Sequence, residues 1–232
     1  MPEAPSLPSK VVLAKYLYSR TLAPARLHPP PHQQACTMSQ TTLTIRTATP
    51  ADIGPLLSLI SSAYRGDQSR LGWTTEADLL TGDRIDSAGL LAKISDPDGV
   101  MLLAAAPTTD SDPSAPASPV ACCELQVRRR NDGTKIGYFG LFAVDPRHQG
   151  SGLGRQVLQI AEGYARDTLG LDRLEMSVIF TRAELIAWYM RRGYARTGER
   201  RPFPYEQLVS GAVALRNDLY FEILEKSLAV GG

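Results

Sequence analysis

The chain has 232 residues, which suits one domain of ordinary size plus additional segments. Hydrophobic residues make up 43% and charged residues 21%, enough apolar material for a core. The formal net charge of +1 gives no electrostatic case for a nucleic-acid partner, and no apolar run approaches the ~20 residues that span a bilayer, so neither nucleic acid nor membrane is expected.

Residues 1–37 hold seven of the 17 prolines, and carry Lys10, Lys15, Arg20 and Arg26 against Glu3 alone. They are read as a disordered extension, with organelle targeting as the alternative. The location expected is cytoplasmic, or mitochondrial if residues 1–37 are a targeting segment; Met38 is an alternative start. The three cysteines, Cys36, Cys122 and Cys123, are odd in number and two are adjacent, so no disulfide framework is expected. His28, His32 and His148 do not pair with Cys, Asp or Glu at metal-ligand spacing, and no metal is expected.

A single globular domain is expected over 38–232. Alternation over 42–46 predicts a strand. Thr49 and Pro50 open a helix carrying Ile53, Leu56, Leu57, Ile60 and Ala63 on one face. The segment 64–81 is polar and irregular, with Thr74 or Thr75 capping a short helix through Leu80. A helix is expected over 90–94, a strand over 100–105, and a flexible Pro/Ser/Thr/Asp loop over about 106–119. Strands follow over 120–127 and 138–144, joined by a turn at Asn131-Asp132-Gly133. Next come a helix over 152–168 with Leu153, Val157, Ile160, Ala161, Tyr164 and Ala165 on one face, and a strand over 174–179. A helix opened by a Thr181–Glu184 capping box and ended by Gly193 follows, then a last strand over 219–224. Strands and helices mix without strict alternation, which predicts an α/β (α+β mixed) fold with a mixed sheet and helices on both faces.

The chemistry concentrates at Val144-Asp145-Pro146-Arg147-His148-Gln149-Gly150-Ser151-Gly152-Leu153-Gly154-Arg155. A strand ends, three glycines fall within five residues, and a helix begins. Glycines let backbone N–H groups approach a ligand, and a helix N-terminus adds unpaired donors and partial positive charge, together a diphosphate site. A Walker loop would need Lys after its last glycine, where Arg155 stands. A dinucleotide fingerprint would need a third glycine at 155, so a nicotinamide oxidoreductase is the weaker reading. The pattern Q/R-x-x-G-x-G/A is matched in full by Gln149–Gly154.

With Val144-Asp145-Pro146 before this turn and Tyr189-Met190-Arg191-Arg192-Gly193-Tyr194 after the next helix, the sequence resembles the GNAT superfamily of N-acetyltransferases, firmly over 137–197. The resemblance implies a central, mostly antiparallel twisted sheet and acetyl-CoA as co-substrate. Backbone groups of Phe142, Ala143 and Val144 would hold the pantetheine arm, and those of Gln149, Gly150, Ser151, Gly152, Leu153, Gly154 and Arg155 the diphosphate. The strands at 141–144 and 174–179 would splay apart to admit it. The implied reaction is acetyl transfer to a primary amine of a small molecule or a protein, with Tyr189 as general acid and a Val144 amide facing the thioester oxygen. A homodimer is an assembly the resemblance allows. One departure is Arg182, where many relatives carry Asn for the pantetheine arm; a phosphate contact is the substitute considered.

The base is less determined. Glu124, alone in an apolar strand, is the first candidate and Glu175 the second, with a water chain as the third option. Trp73 and Tyr138 are candidate substrate contacts, and Pro202-Phe203-Pro204-Tyr205 a candidate wall. Arg128, Arg129 and Arg130 are read as a solvated hairpin end. A non-catalytic acetyl-CoA sensor is the alternative function.

Overall fold

A computed structural model describes residues 43–105 and 118–229. The extension 1–37, Met38 and nearly all of the loop expected over 106–119 lie outside the described residues. Strand β1 (Thr44–Thr47) leads through a 3-10 turn at Pro50–Asp52 into α1 (Ile53–Tyr64). The Asp52 carboxylate accepts from Thr49 N–H and Oγ1 (2.8 and 2.9 Å) and from the Arg46 guanidinium (2.7 and 2.6 Å), which fixes the entry angle of the helix. A short α2 (Gly66–Ser69) and the two-residue β2 (Leu80–Thr81) follow, then α3 (Ser87–Ile94), β3 (Gly99–Ala105), β4 (Pro119–Arg129) and β5 (Lys135–Val144). The C-terminal part adds α4 (Leu153–Asp167), β6 (Arg173–Ile179), α5 (Ala183–Met190), β7 (Ala195–Pro202), the short β8 (Val213–Ala214) and β9 (Tyr220–Ser227).

Seven strands form one sheet in the order β1-β3-β4-β5-β6-β9-β7, while β2 and β8 pair separately. Every pairing is antiparallel except β5 with β6, so the sheet is mixed and mostly antiparallel, as expected. On one face Leu56, Ile60 and Leu90 from α1 and α3 meet Met101, Leu103, Cys122 and Leu141. On the other, Val157, Leu158 and Ala161 from α4 and Ile186 and Tyr189 from α5 meet Leu125, Phe139 and Met176. Each such fully buried Leu or Ile is worth roughly 1.5–3 kcal/mol of transfer free energy, so both helical layers are held by their apolar stripes.

Four local expectations are corrected. The helix expected from Thr75 to Leu80 is a single turn: Thr75 Oγ1 accepts from Ala77 N–H and Glu76 O from Leu80 N–H, but Leu80 then enters β2, buried. Glu76 is drawn inward by two arginines, which stops the helix. The Thr181–Glu184 box does not form; Arg182 is the N-cap residue of α5 and the buried Thr181 Oγ1 has no partner among the described residues. In α4 it is Leu158 that is fully buried, with Ile160 half-buried, so the core-facing stripe is narrower than the sequence face. Strand β7 was not expected, because its exposed side chains Arg196, Glu199 and Arg200 and the half-buried Arg201 give no apolar alternation; Phe203 and Tyr205 after it pack in a small core with Ile179 and Leu219 instead of walling a site.

Candidate functional site

The parallel pairing of β5 and β6 lasts for only two registered pairs, Gly137 with Leu174 and Tyr138 with Glu175. Beyond them the strands diverge. The cause lies on the other side of β5: the register with β4 slips between Cys122 and Glu124, and Leu141 takes φ +42° inside the strand. A non-glycine residue in this region stores on the order of 1–3 kcal/mol and persists where its surroundings hold it; here the Leu141 side chain is buried under α1. Past the bulge, Asp145 N–H donates to Val120 O (2.9 Å). The alternation of the ladder therefore turns the N–H and C=O of Val144 and Phe142 away from β4, into the cleft. Ala143 faces the opposite way, its side chain in the α1/α3 core.

The cleft is part of a cavity of about 600 Å³, within the range of small-molecule sites. The turn at its mouth is built as the glycines require. Gly150 and Gly152 have φ +79° and +90° with open space around the missing Cβ, so their demand is conformational. The first α4 bond is Gln156 N–H to Gly152 O (3.1 Å), so the amides of 153–155 are free of helical acceptors. The Leu153 side chain is core, and Ser151 Oγ donates to His148 O (2.6 Å), so these two offer backbone only. Arg155 lines the cavity together with Arg191 and Arg192. Burial, then the nearby charges of Arg191 and Arg155, hold the Arg192 pKa below its usual value, the mark of cations gathered at one place. The Arg192 guanidinium stacks on Trp188 at 3.5 Å. Arg191 and Arg192 were not anticipated as site residues, although they stand inside the quoted Tyr189–Tyr194 motif.

Gln149 is a tie. Its Nε2 donates to Val144 O (3.1 Å) and its Oε1 accepts from Trp73 N–H (3.1 Å). A Cβ on Gly72 would lie 2.5 Å from that Oε1, so a side chain there would displace the Gln149 amide from this bridge. Trp73 thus lines the cavity, 42% exposed, with its ring 6.2 Å from Trp188. Tyr138 also lines it, beneath the Arg128 guanidinium at 3.5 Å.

Tyr189 lines the cavity from α5, with its ring edge-on to Trp188 and Tyr194. Burial pushes its phenol pKa well above the usual value, so it is a protonated donor at any ordinary pH. Arg182 does not reach for a phosphate: its guanidinium donates to Glu76 Oε1 and Thr74 Oγ1, both at 2.9 Å. Glu76 also accepts from Arg65 (3.2 Å). The two carboxylates expected as bases are committed elsewhere. Glu124 accepts from Lys93 through both oxygens (2.7 and 2.8 Å) and is not among the cavity-lining residues, and Glu175 is held by Arg201 in a bidentate pair (2.6 and 2.9 Å). Both carboxylates are thus held in ion pairs, and Glu175, like Glu124, is not among the cavity-lining residues. Of the three arginines at the hairpin, Arg130 pairs with Glu225, and Arg128 with Gln126 and Tyr138, which are structural contacts.

Comparison with known proteins agrees with this geometry. Residues 71–194 match the model of the Acetyltransferase (GNAT) family. A mycothiol acetyltransferase of Salinispora arenicola is 35% identical over 71 residues, and one of Salinispora tropica 34%. Those matches cover 31% of this chain, which spans only 23% of the length of these relatives. Among solved structures, an acetyltransferase of the GNAT family from Streptococcus pneumoniae aligns with TM-score 0.53 at 18% identity, over 80% of this chain and 99% of its own. An N-acetyltransferase from Staphylococcus aureus Mu50 aligns with TM-score 0.56 at 11% identity, over 81% and 98%. At these identities the structural likeness is one of fold.

Proposed function

Since the chain belongs to the GNAT acetyltransferase family, we propose that it moves an acetyl group from acetyl-CoA to a primary amine. The observation that carries this is the coincidence of free amides at the mouth of α4, three arginines beside them, and a β5 edge left open by the divergence of β6. The amides of 153–155 with Arg155 hold the diphosphate, and Arg191 and Arg192 add positive charge at the same mouth. The inward amides of Phe142 and Val144 and the Phe142 carbonyl take the pantetheine arm as an added strand, while the Val144 carbonyl accepts from Gln149 Nε2.

In the reaction the amine nitrogen bonds to the thioester carbonyl carbon. The Val144 N–H faces the oxygen that gains charge. When the C–S bond breaks, its electron pair goes to sulfur and Tyr189 supplies the proton, recovering one from solvent. The amine's own proton leaves through water, because Glu124 and Glu175 are both ion-paired.

The same turn would serve a non-catalytic acetyl-CoA sensor, and the paired state of Glu76, Glu124 and Glu175 is the observation favouring that reading. Release of free thiol from acetyl-CoA across amines and peptides separates them. The enzyme gives amine-dependent release; binding without release for every amine supports the sensor.

A further inference from the structure

The far end of the cavity has a charge composition of its own. Five arginines line the whole cavity, Arg84, Arg155, Arg182, Arg191 and Arg192, against two carboxylates, Glu76 and Glu184. Arg155, Arg191 and Arg192 belong to the α4 mouth. Arg84 and Arg182 come from other segments, with Tyr64, Tyr138 and Thr74 around them. Arg182 is in the group that acts electrostatically on the Tyr189 phenol, with Tyr64 and Tyr138.

Glu76 is shared by Arg65 (3.2 Å) and Arg182 (2.9 Å), so one carboxylate already serves two guanidinium groups. The buried Nε donors of both arginines are left without an acceptor among the described residues. Arg84 adds a third cation, 5.6 Å from the Tyr64 ring and with no ion pair among the described residues. The nearby Glu124 is neutralised by Lys93. Three guanidinium groups stand against Glu76, and a positive surplus remains even when the exposed Glu184 is added.

Resting on the proposed acetyl transfer, we infer that the acceptor is an amino acid or a similar small amine bearing a carboxylate, which Arg84 receives beside the Tyr64 and Tyr138 rings. A planar, permanently charged fork matches a carboxylate. A cationic polyamine would enter an already positive end and find no free carboxylate but Glu184. The same surplus has a second effect. It lowers the pKa of an incoming ammonium, so the nucleophile reaches its neutral form without a dedicated protein base. This accounts for a transferase in which the buried carboxylates Glu76, Glu124 and Glu175 are all paired.

The test compares kcat/KM for amino acids, the matching amino-acid amides and spermidine, in the full chain and in Arg84→Gln and Arg84→Lys variants, with acetyl-CoA affinity titrated on each sample. Arg84 is exposed, so its replacement leaves the core alone. Amino acids are expected to exceed their amides by at least about tenfold. Arg84→Gln erases that preference through KM, Arg84→Lys retains part of it, and acetyl-CoA affinity stays the same. Preference for spermidine or the amides, or an amino-acid preference that survives Arg84→Gln, overturns the inference while leaving acetyl transfer standing. Acetyl-CoA binding with no amine turned over defeats this inference together with the acetyl transfer it rests on, and absent acetyl-CoA affinity defeats the proposed acetyl-CoA site itself.

Discussion

Tyr189 is the side chain on which the proposed proton transfer depends. Its ring is core, 5% exposed between Trp188 and Tyr194, and that burial keeps the phenol protonated. Replacement by Phe keeps the ring packing and removes only the donor. Turnover is therefore expected to fall on the order of a hundredfold while acetyl-CoA affinity moves by less than about twofold. Thiol-release kinetics beside a binding titration check this, and undiminished turnover removes Tyr189 from the chemistry. The thiols are no rivals as acyl carriers: burial pushes Cys122 up to about 12 and Cys123 higher than its ordinary value. The place of Tyr189 in the cavity was legible because its motif is local. The commitment of Glu124 was not, because Lys93 stands 31 positions earlier and only the packing of α3 on β3, the neighbour of β4, brings the two together.

At the scale of elements, the entry to α1 depends on one carboxylate. The Arg46 hydrogen bond, opposed by partial burial and aided by the Thr49 contacts, holds the Asp52 carboxyl below the ordinary range. A group with a lowered folded pKa stabilises fully above its unfolded pKa, about 3.9, and loses that contribution as pH falls through the folded value. Asp52→Asn is thus expected to cost roughly 1 kcal/mol in urea unfolding, constant from pH 7 to about 4.5. The gap to wild type should then shrink in more acid solution. A gap that widens on acidification contradicts this assignment. The pairing of Thr49 and Pro50 made this helix start readable. The Thr181 box, equally good as a pattern, failed because the N-cap place of α5 is taken by Arg182, whose side chain is anchored 106 residues away on Glu76. Strand β7 was invisible for a related reason: an edge strand with solvent-facing charges carries no period-2 apolar signal.

For the molecule as a whole, a mixed sheet with helices on both faces followed from the mixture of strands and helices, and its mostly antiparallel character and the splayed cleft from the resemblance carried by residues 137–197. What escaped the sequence are features made by distant segments meeting. The Gln149 bridge to Trp73 spans 76 residues, and it brings the 66–75 segment against the α4 mouth. The αL turn at Leu141 has no signature, since leucine has no preference for that conformation; it is imposed by the slipped β4–β5 register.

The central claim is that the α4 mouth grips the diphosphate of acetyl-CoA through its backbone, and Gly154 tests it most directly. A Cβ there would meet Phe142, Trp188 and Val144 at an ordinary 3.7 Å, and Ala is the better helix former by about 1 kcal/mol, so the fold gains or is unchanged. Calorimetric titration of acetyl-CoA should give one site per wild-type chain. In Gly154→Ala it should show affinity weakened at least about tenfold, with an equal or higher melting temperature. No binding heat from the wild-type protein, or undiminished affinity in the variant, would contradict the account.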